Sequence, residues 1–177
     1  MQIVDIDENY EKACIDRKKD FAVMRRSKRK CMTMYLGGIY IECLLKSVII
    51  RKKKIEKAVS IVENRKRKIY WFSHNNYLKL RSMPNPTWND IRRINDGFNP
   101  EHNLVQALKQ IDELNRTLPA DGVKRLEMLN RPINNRSFTV MRYMYDDEIP
   151  DTLYNEWESN FLYFISFFNK MKKTFPF

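Results

Sequence analysis

A charged pair interrupts a largely apolar stretch of the sequence. Glu42 and Lys46 lie four residues apart in the run MYLGGIYIECLLKSVII, residues 34–50. In a helix this spacing places the two side chains one turn apart on one face, with Glu on the N-terminal side as such pairs prefer. The pair could stabilise a core helix or belong to a functional site. We predict a structural role for it.

Other residue types that carry chemistry are few. The chain has two histidines, His74 and His102, and three cysteines without CxxC spacing. This cysteine pattern implies neither a disulfide framework nor a zinc site. The sequence contains no glycine-rich phosphate loop, no hydrolase-like carboxylate pair and no serine or cysteine nucleophile motif. We therefore expect no metal and no cofactor.

The positive charge of the chain is clustered. The formal net charge is +11 over 177 residues, and much of the surplus lies in the tracts 25–30 and 51–68. Clustered cations favour a polyanionic partner such as RNA or single-stranded nucleic acid, although a solvated lysine-rich face has the same composition. The residues predicted to contact nucleic acid are Lys52, Lys53, Lys54, Arg65 and Arg67.

Three aromatic residues, Tyr70, Trp71 and Phe72, follow the second tract directly. They could stack on bases while the neighbouring cations hold phosphates. Trp71 and Phe72 could equally be anchors of the hydrophobic core.

The elements that position these residues read as helical. Hydrophobic spacing predicts helices over about 7–26 and 28–54, and the polar segment 55–68 reads as a continuation. A short helix is predicted from an N-cap at Ser73 to about Leu80. With only four glycines the chain does not resemble a β-sandwich or a Rossmann unit. We predict an all-α fold in one domain, residues 1–177.

The second half of the chain is predicted to be more irregular. The segment 81–135 reads as a loop-rich insertion that contains one amphipathic helix, and its part 118–132 is ambiguous between a loop and a short helix before Pro132. Residues 137–145 read as extended or as a connector. The last helix is predicted from about Pro150 to Lys173. Its apolar stripe consists of Trp157, Phe161, Phe164, Phe168 and Met171. This stripe is larger than one core needs, which predicts a homodimer.

The sequence gives no sign of membrane targeting. Its first residues lack the apolar core of a signal peptide. Residues 34–50 are too short and too polar for a transmembrane helix, because Glu42 and Lys46 would lie near the bilayer centre. We expect a cytoplasmic location and no membrane contact.

Three segments resemble the HEPN family. Its central helix carries Gly, Tyr, Glu, Cys, Leu and Lys in the order seen at Gly38, Tyr40, Glu42, Cys43, Leu45 and Lys46. Its next helix opens with a Thr-His-Asp-Leu type turn, which Ser73, His74, Tyr77 and Leu80 resemble, with Asn75 in place of Asp. The connector before its final helix is similar to Arg142, Tyr143, Tyr145 and Asp146.

This resemblance implies an antiparallel bundle of four or five helices that is commonly dimeric. It implies a role in prokaryotic defence or in a toxin–antitoxin pair, through RNA binding or cleavage. The alternative is a non-catalytic interaction module that partners a nucleotidyltransferase or another protein. Glu42 and Lys46 would then be a structural pair anchored to His74 or to the connector.

The resemblance also implies a candidate catalytic pair. Nuclease members of the family use an Arg-x4–6-His motif, two copies of which meet across a dimer interface. Arg67 and His74 fit it as Arg-x6-His, whereas His102 has no arginine at that distance. Histidine can relay a proton near neutral pH, and arginine can stabilise charge on phosphorus. The implied enzyme is a metal-independent endoribonuclease, and the opposing interpretation leaves His74 in a structural turn.

Overall fold

A computed structural model describes residues 2–63 and 66–174 of the chain. The chain divides into two compact units. The sheet unit comprises Met1–Asn9 and Val48–Asn99, and the helical unit comprises Tyr10–Ser47 and Pro100–Phe177.

Helices and strands are interspersed in the first hundred residues, and the elements described after them are helices. In order, the elements are β1 (Gln2–Ile6), α1 (Tyr10–Arg26), α2 (Lys30–Lys52), β2 (Lys57–Glu63), β3 (Lys66–Phe72), α3 (His74–Ser82), α4 (Trp88–Ile94), β4 (Gly97–Phe98), α5 (Leu104–Lys109), α6 (Asp112–Thr117), α7 (Ala120–Asn130) and α8 (Asp151–Thr174), with 3-10 helices at Phe138–Tyr143 and Asp146–Glu148.

The sheet unit is built on an antiparallel sheet with the strand order β1-β2-β3-β4. Val59 and Ile61 of β2 alternate with residues of the other face and pack with Tyr70 and Phe72 of β3. Leu80 of α3 and Ile91 of α4 complete this core. Ala58, Ser60 and Trp71 alternate with these strand residues and are also buried, so both faces of the sheet carry buried side chains.

The prediction of an all-α fold is wrong, because the segment 55–68 forms most of a β-hairpin. Helix α2 ends at Lys52, and Lys54 adopts a left-handed conformation with φ of 51°. The β-branched residues Val59, Ile61 and Val62 then favour a strand over a helix, since branching at Cβ restricts rotamers in a helix. The lysines on either side of these residues gave the segment the composition of a polar helix.

Helix α2 provides the frame of the helical unit. Its first turn is held by the Asp146 carboxylate, which accepts a hydrogen bond from the Cys31 N–H at 2.9 Å. Near its middle the backbone comes close to aromatic rings, because a methyl group on Gly37 would overlap Trp157 and one on Gly38 would overlap Phe138. Close packing against these rings thus explains the two glycines.

The segment 81–135, predicted as a loop-rich insertion, consists of short helices joined by loops. It contains α4, α5, α6 and α7. The predicted amphipathic helix is broken after Lys109, yet its four apolar residues Leu104, Leu108, Ile111 and Leu114 are all buried. The segment 137–145, predicted as extended or as a connector, is largely 3-10 helical. The last helix is confirmed as α8, one residue from the predicted ends.

By length and composition alone, helix α2 could cross a membrane. However, 67% of its most apolar window is buried within the protein, as in the core helix of a soluble protein. This helix is therefore weak evidence for a membrane, and the cytoplasmic location stays a prediction.

Candidate functional site

The pair of Glu42 and Lys46 lies in the interior of the helical unit. Their side chains are only 7% and 3% exposed, and Lys46 Nζ donates to Glu42 Oε1 at 2.6 Å. The ammonium group also lies 4.9 Å from the centre of the Tyr10 ring, a cation–π distance. The predicted pair is therefore present, and each charge has a close partner.

A histidine completes this arrangement. His102 Nδ1 lies 2.8 Å from Glu42 Oε2, so both carboxylate oxygens of Glu42 are engaged. His102 belongs to the turn before α5, where Asn103 accepts the Gln106 N–H and caps the helix. The His102 side chain is 56% exposed, whereas Glu42 is buried. We call Tyr10, Glu42, Lys46 and His102 the charge cluster.

Glu42 controls the ionisation of His102. Its hydrogen bond to the imidazole raises the pKa of His102, although partial burial and Lys46 act in the opposite direction. The imidazolium form therefore persists to higher pH than in an isolated histidine. An imidazole held at Nδ1 by a buried carboxylate has a defined orientation and can exchange protons through Nε2.

The raised pKa makes stability depend on pH. The stabilisation by His102 is fully present below the unfolded-state pKa of about 6.5 and is lost as pH rises through the folded-state pKa. We expect His102→Gln to destabilise the protein most at pH 6 and below, and progressively less above it. Urea unfolding of both proteins between pH 5 and 9 measures this difference. If the difference in the free energy of unfolding between the two proteins is the same at pH 5 and at pH 9, the assignment is contradicted.

The control for this prediction is His74→Gln. His74 Nδ1 lies 3.2 Å from Glu56 Oε2, but both side chains are more than half exposed. Exposed pairs contribute little to stability, so this variant should unfold like the wild type.

The structure does not bring Arg67 and His74 together within one chain. Arg67 lies near the turn of the β2–β3 hairpin, paired with Val62, and its Nε donates to Ser60 Oγ at 2.9 Å. His74 begins α3, after the other end of β3. The five steps along the strand from Arg67 to Phe72 span about 17 Å. The sequence predicted that His74 or the connector anchors Glu42. In the structure His74 contacts Glu56 instead, and His102 is the histidine that contacts Glu42.

The residues predicted to bind nucleic acid do not form one patch. Lys52 and Lys54 are exposed at the end of α2, while Lys53 Nζ donates to the Asp96 carbonyl at 2.9 Å. Arg67 lies at the opposite end of the hairpin from the beginning of β2. Arg65 lies outside the described residues.

Carboxylates neutralise much of the other basic tract. Arg25 pairs with Glu158 at 2.7 Å, Arg29 pairs with Asp146 at 2.7 Å, and Lys30 pairs with Asp151 at 2.6 Å. These cations therefore hold the turn between α1 and α2 to the beginning of α8 and to the preceding connector. Two of these pairs use carboxylates of the acidic segment 146–151, namely Asp146 and Asp151.

The aromatic residues after the second tract are buried. Trp71 and Phe72 are 0% exposed and Tyr70 is 6% exposed. Trp71 Nε1 donates to Glu8 Oε2 at 2.7 Å. Of the two interpretations, the structure therefore supports core anchors, because none of the three rings is exposed enough to stack on a base.

Sequence reasoning missed His102, although a signal was available. The residues His102, Asn103 and Leu104 open α5. They fit a His-Asp-Leu turn more closely than the residues after His74 do. Asn103 caps the helix at the position of the Asp, and Leu104 follows it directly.

Among residues 2–63 and 66–174, no group of three or more His, Cys, Asp or Glu side chains is placed to hold a metal ion. Comparison with known proteins gives no matching family model, no matching curated protein and no matching solved structure.

Proposed function

We propose that this chain is a HEPN-like protein that binds RNA in a prokaryotic defence or toxin–antitoxin system. The observation that carries RNA binding is the location of the surplus charge. Where the structure describes burial, Lys46 is the one buried cation, and it is paired with the one buried carboxylate, Glu42. The net charge of +11 therefore lies on the surface, where it attracts polyanions.

The charge cluster supports the HEPN-like part of the proposal. Glu42 and Lys46 belong to the segment that resembles the central helix of the family, and the histidine turn at His102 meets them in space. The connector contributes Asp146, which contacts the beginning of the same helix.

A metal-independent endoribonuclease is the second candidate, and the geometry of His102 favours it. This imidazole is oriented by Glu42 and more than half exposed, so it can serve as a general acid or base. The pair of Arg67 and His74 would need a homodimer to converge, and homodimerisation stays a prediction.

RNA binding is tested by fluorescence anisotropy with single-stranded RNA over a range of salt concentrations. We expect the logarithm of affinity to fall linearly with the logarithm of salt concentration, with a slope of about −0.7 for each phosphate contact. Lys28→Gln/Lys54→Gln should flatten this slope because both side chains are exposed.

The matched control is Arg25→Gln/Arg29→Gln, which removes the same charge from cations already paired with Glu158 and Asp146. The slope of this control should stay closer to that of the wild type than the slope of the first double variant does. If wild-type protein binds no RNA at low salt, the proposal fails, and a docking surface for a nucleotidyltransferase or another acidic protein becomes the better interpretation.

A further inference from the structure

The helical unit contains a polar groove beside α5 and α7. Its volume is about 650 Å³, within the range of small-ligand sites. Three cations line it: Lys109 at the end of α5, Lys124 on α7 and Arg131 just after α7. Glu127 is the one carboxylate among the lining residues.

The groove cations differ from those of the tract 25–30. Lys109, Lys124 and Arg131 are exposed, and within residues 2–63 and 66–174 their side chains make no ion pair or hydrogen bond. Glu127 can offset one of them, so two positive charges remain uncompensated. Unpaired cations around one cavity favour an anion there, because it would gain charge-assisted hydrogen bonds without breaking existing ones.

An oriented amide in the groove provides a further hydrogen-bond donor for a ligand. Asn130 lines the groove and is only 6% exposed. Its Oδ1 accepts the Leu104 N–H at 2.9 Å, which fixes the orientation of the side chain and connects the end of α7 to the beginning of α5. The Nδ2 group has no partner in the described part of the chain. This nitrogen is not among the side-chain atoms that are both buried and without a partner, so it is accessible and can donate to a ligand or to water in the groove.

We propose that this groove binds a phosphate monoester, in particular the terminal phosphate of an RNA. A terminal phosphate carries a charge of about −1.5 to −2 at pH 7, whereas each internal diester carries only one negative charge. The two uncompensated positive charges match the terminal group. The oxygens of this group accept hydrogen bonds from the cations and from the Asn130 amide. The lining amides Asn103, Gln106 and Asn135 are available to the adjoining nucleotide.

This inference rests on the proposed function for the identity of the ligand, since RNA is the source of the phosphate. The site itself rests on the groove. A free phosphomonoester such as AMP has the same chemistry, and the experiment separates the two sources.

The test compares one RNA sequence with a 5′-phosphate, with a 3′-phosphate and with hydroxyl groups at both ends, together with AMP and inorganic phosphate. We expect a phosphorylated RNA to bind at least about tenfold more tightly than the hydroxyl form, corresponding to one or more charge-assisted contacts. NMR should show a saturable shift of the Asn130 side-chain amide. Lys109→Gln/Lys124→Gln/Arg131→Gln should abolish the preference for phosphate.

Two further variants keep the test specific. Lys170→Gln/Lys172→Gln/Lys173→Gln removes three positive charges from the end of α8 and should retain the preference. Asn130→Asp keeps an acceptor for the Leu104 N–H but replaces the amide donor with a carboxylate, so it should lose the preference. Melting temperatures close to wild type show that these variants fold.

The outcomes separate the two proposals. If RNA binds equally well with and without a terminal phosphate, the groove assignment fails while RNA binding stands. If AMP binds through the groove and RNA does not bind, the phosphomonoester site stands and the proposed function fails. If inorganic phosphate alone reproduces the affinity and the Asn130 shift, the assignment to an RNA end is overturned.

Discussion

Glu42→Ala should lower the free energy of unfolding by about 3–5 kcal/mol, the usual effect of removing one partner of a buried ion pair. The carboxylate contacts Lys46 Nζ at 2.6 Å and His102 Nδ1 at 2.8 Å. Without it the ammonium group of Lys46 stays buried with the Tyr10 ring as its neighbour. Urea unfolding monitored by circular dichroism measures the loss. Asp20→Ala is the control, because its pair with Arg17 is exposed and should contribute less than about 1 kcal/mol.

A double variant distinguishes the loss of a charge partner from the loss of packing. Glu42→Leu/Lys46→Met removes both charges and roughly preserves volume, and such replacements are often neutral or stabilising. It should therefore recover most of the stability that Glu42→Ala loses. If Glu42→Ala unfolds like wild type but no longer binds RNA, then Glu42 belongs to a functional site and its structural assignment is wrong.

The long helices were predictable because their signals are local. Helix α8 carries an apolar stripe over 24 residues, and the predicted ends differ from the observed ones by one residue. The hairpin was not predictable in the same way. Strand β2 is stabilised on one side by β1, where Ile3 pairs with Ile61, and this contact joins distant parts of the sequence. A window that contains many lysines cannot reveal that pairing.

The candidate site shows the same division between local and distant contacts. The pair of Glu42 and Lys46 follows from four-residue spacing in a helix, so the sequence was sufficient to predict it. His102 reaches Glu42 from 60 residues away in the chain, and no periodicity encodes that contact. The groove depends equally on distant residues, because the Asn130 side chain holds the beginning of α5 to the end of α7.

Trp71→Ala should lower the free energy of unfolding by about 3–5 kcal/mol, as expected for the truncation of a fully buried aromatic residue. The Trp71 side chain is 0% exposed, so its loss removes apolar contacts and leaves a cavity. It also removes the N–H group that donates to Glu8 Oε2 at 2.7 Å. Urea unfolding measures the effect, and Tyr143→Ala is the control because Tyr143 is 72% exposed and should contribute little.

Trp71→Phe separates packing from hydrogen bonding at the same position. Phenylalanine retains much of the buried ring but leaves Glu8 Oε2 without this donor, so we expect a smaller loss of about 1–3 kcal/mol. RNA affinity of the folded variant should equal that of the wild type, because a buried indole cannot stack on a base. A Trp71→Phe protein with wild-type stability and much weaker RNA binding would contradict the core assignment, since only a base-stacking role for Trp71 would account for that combination.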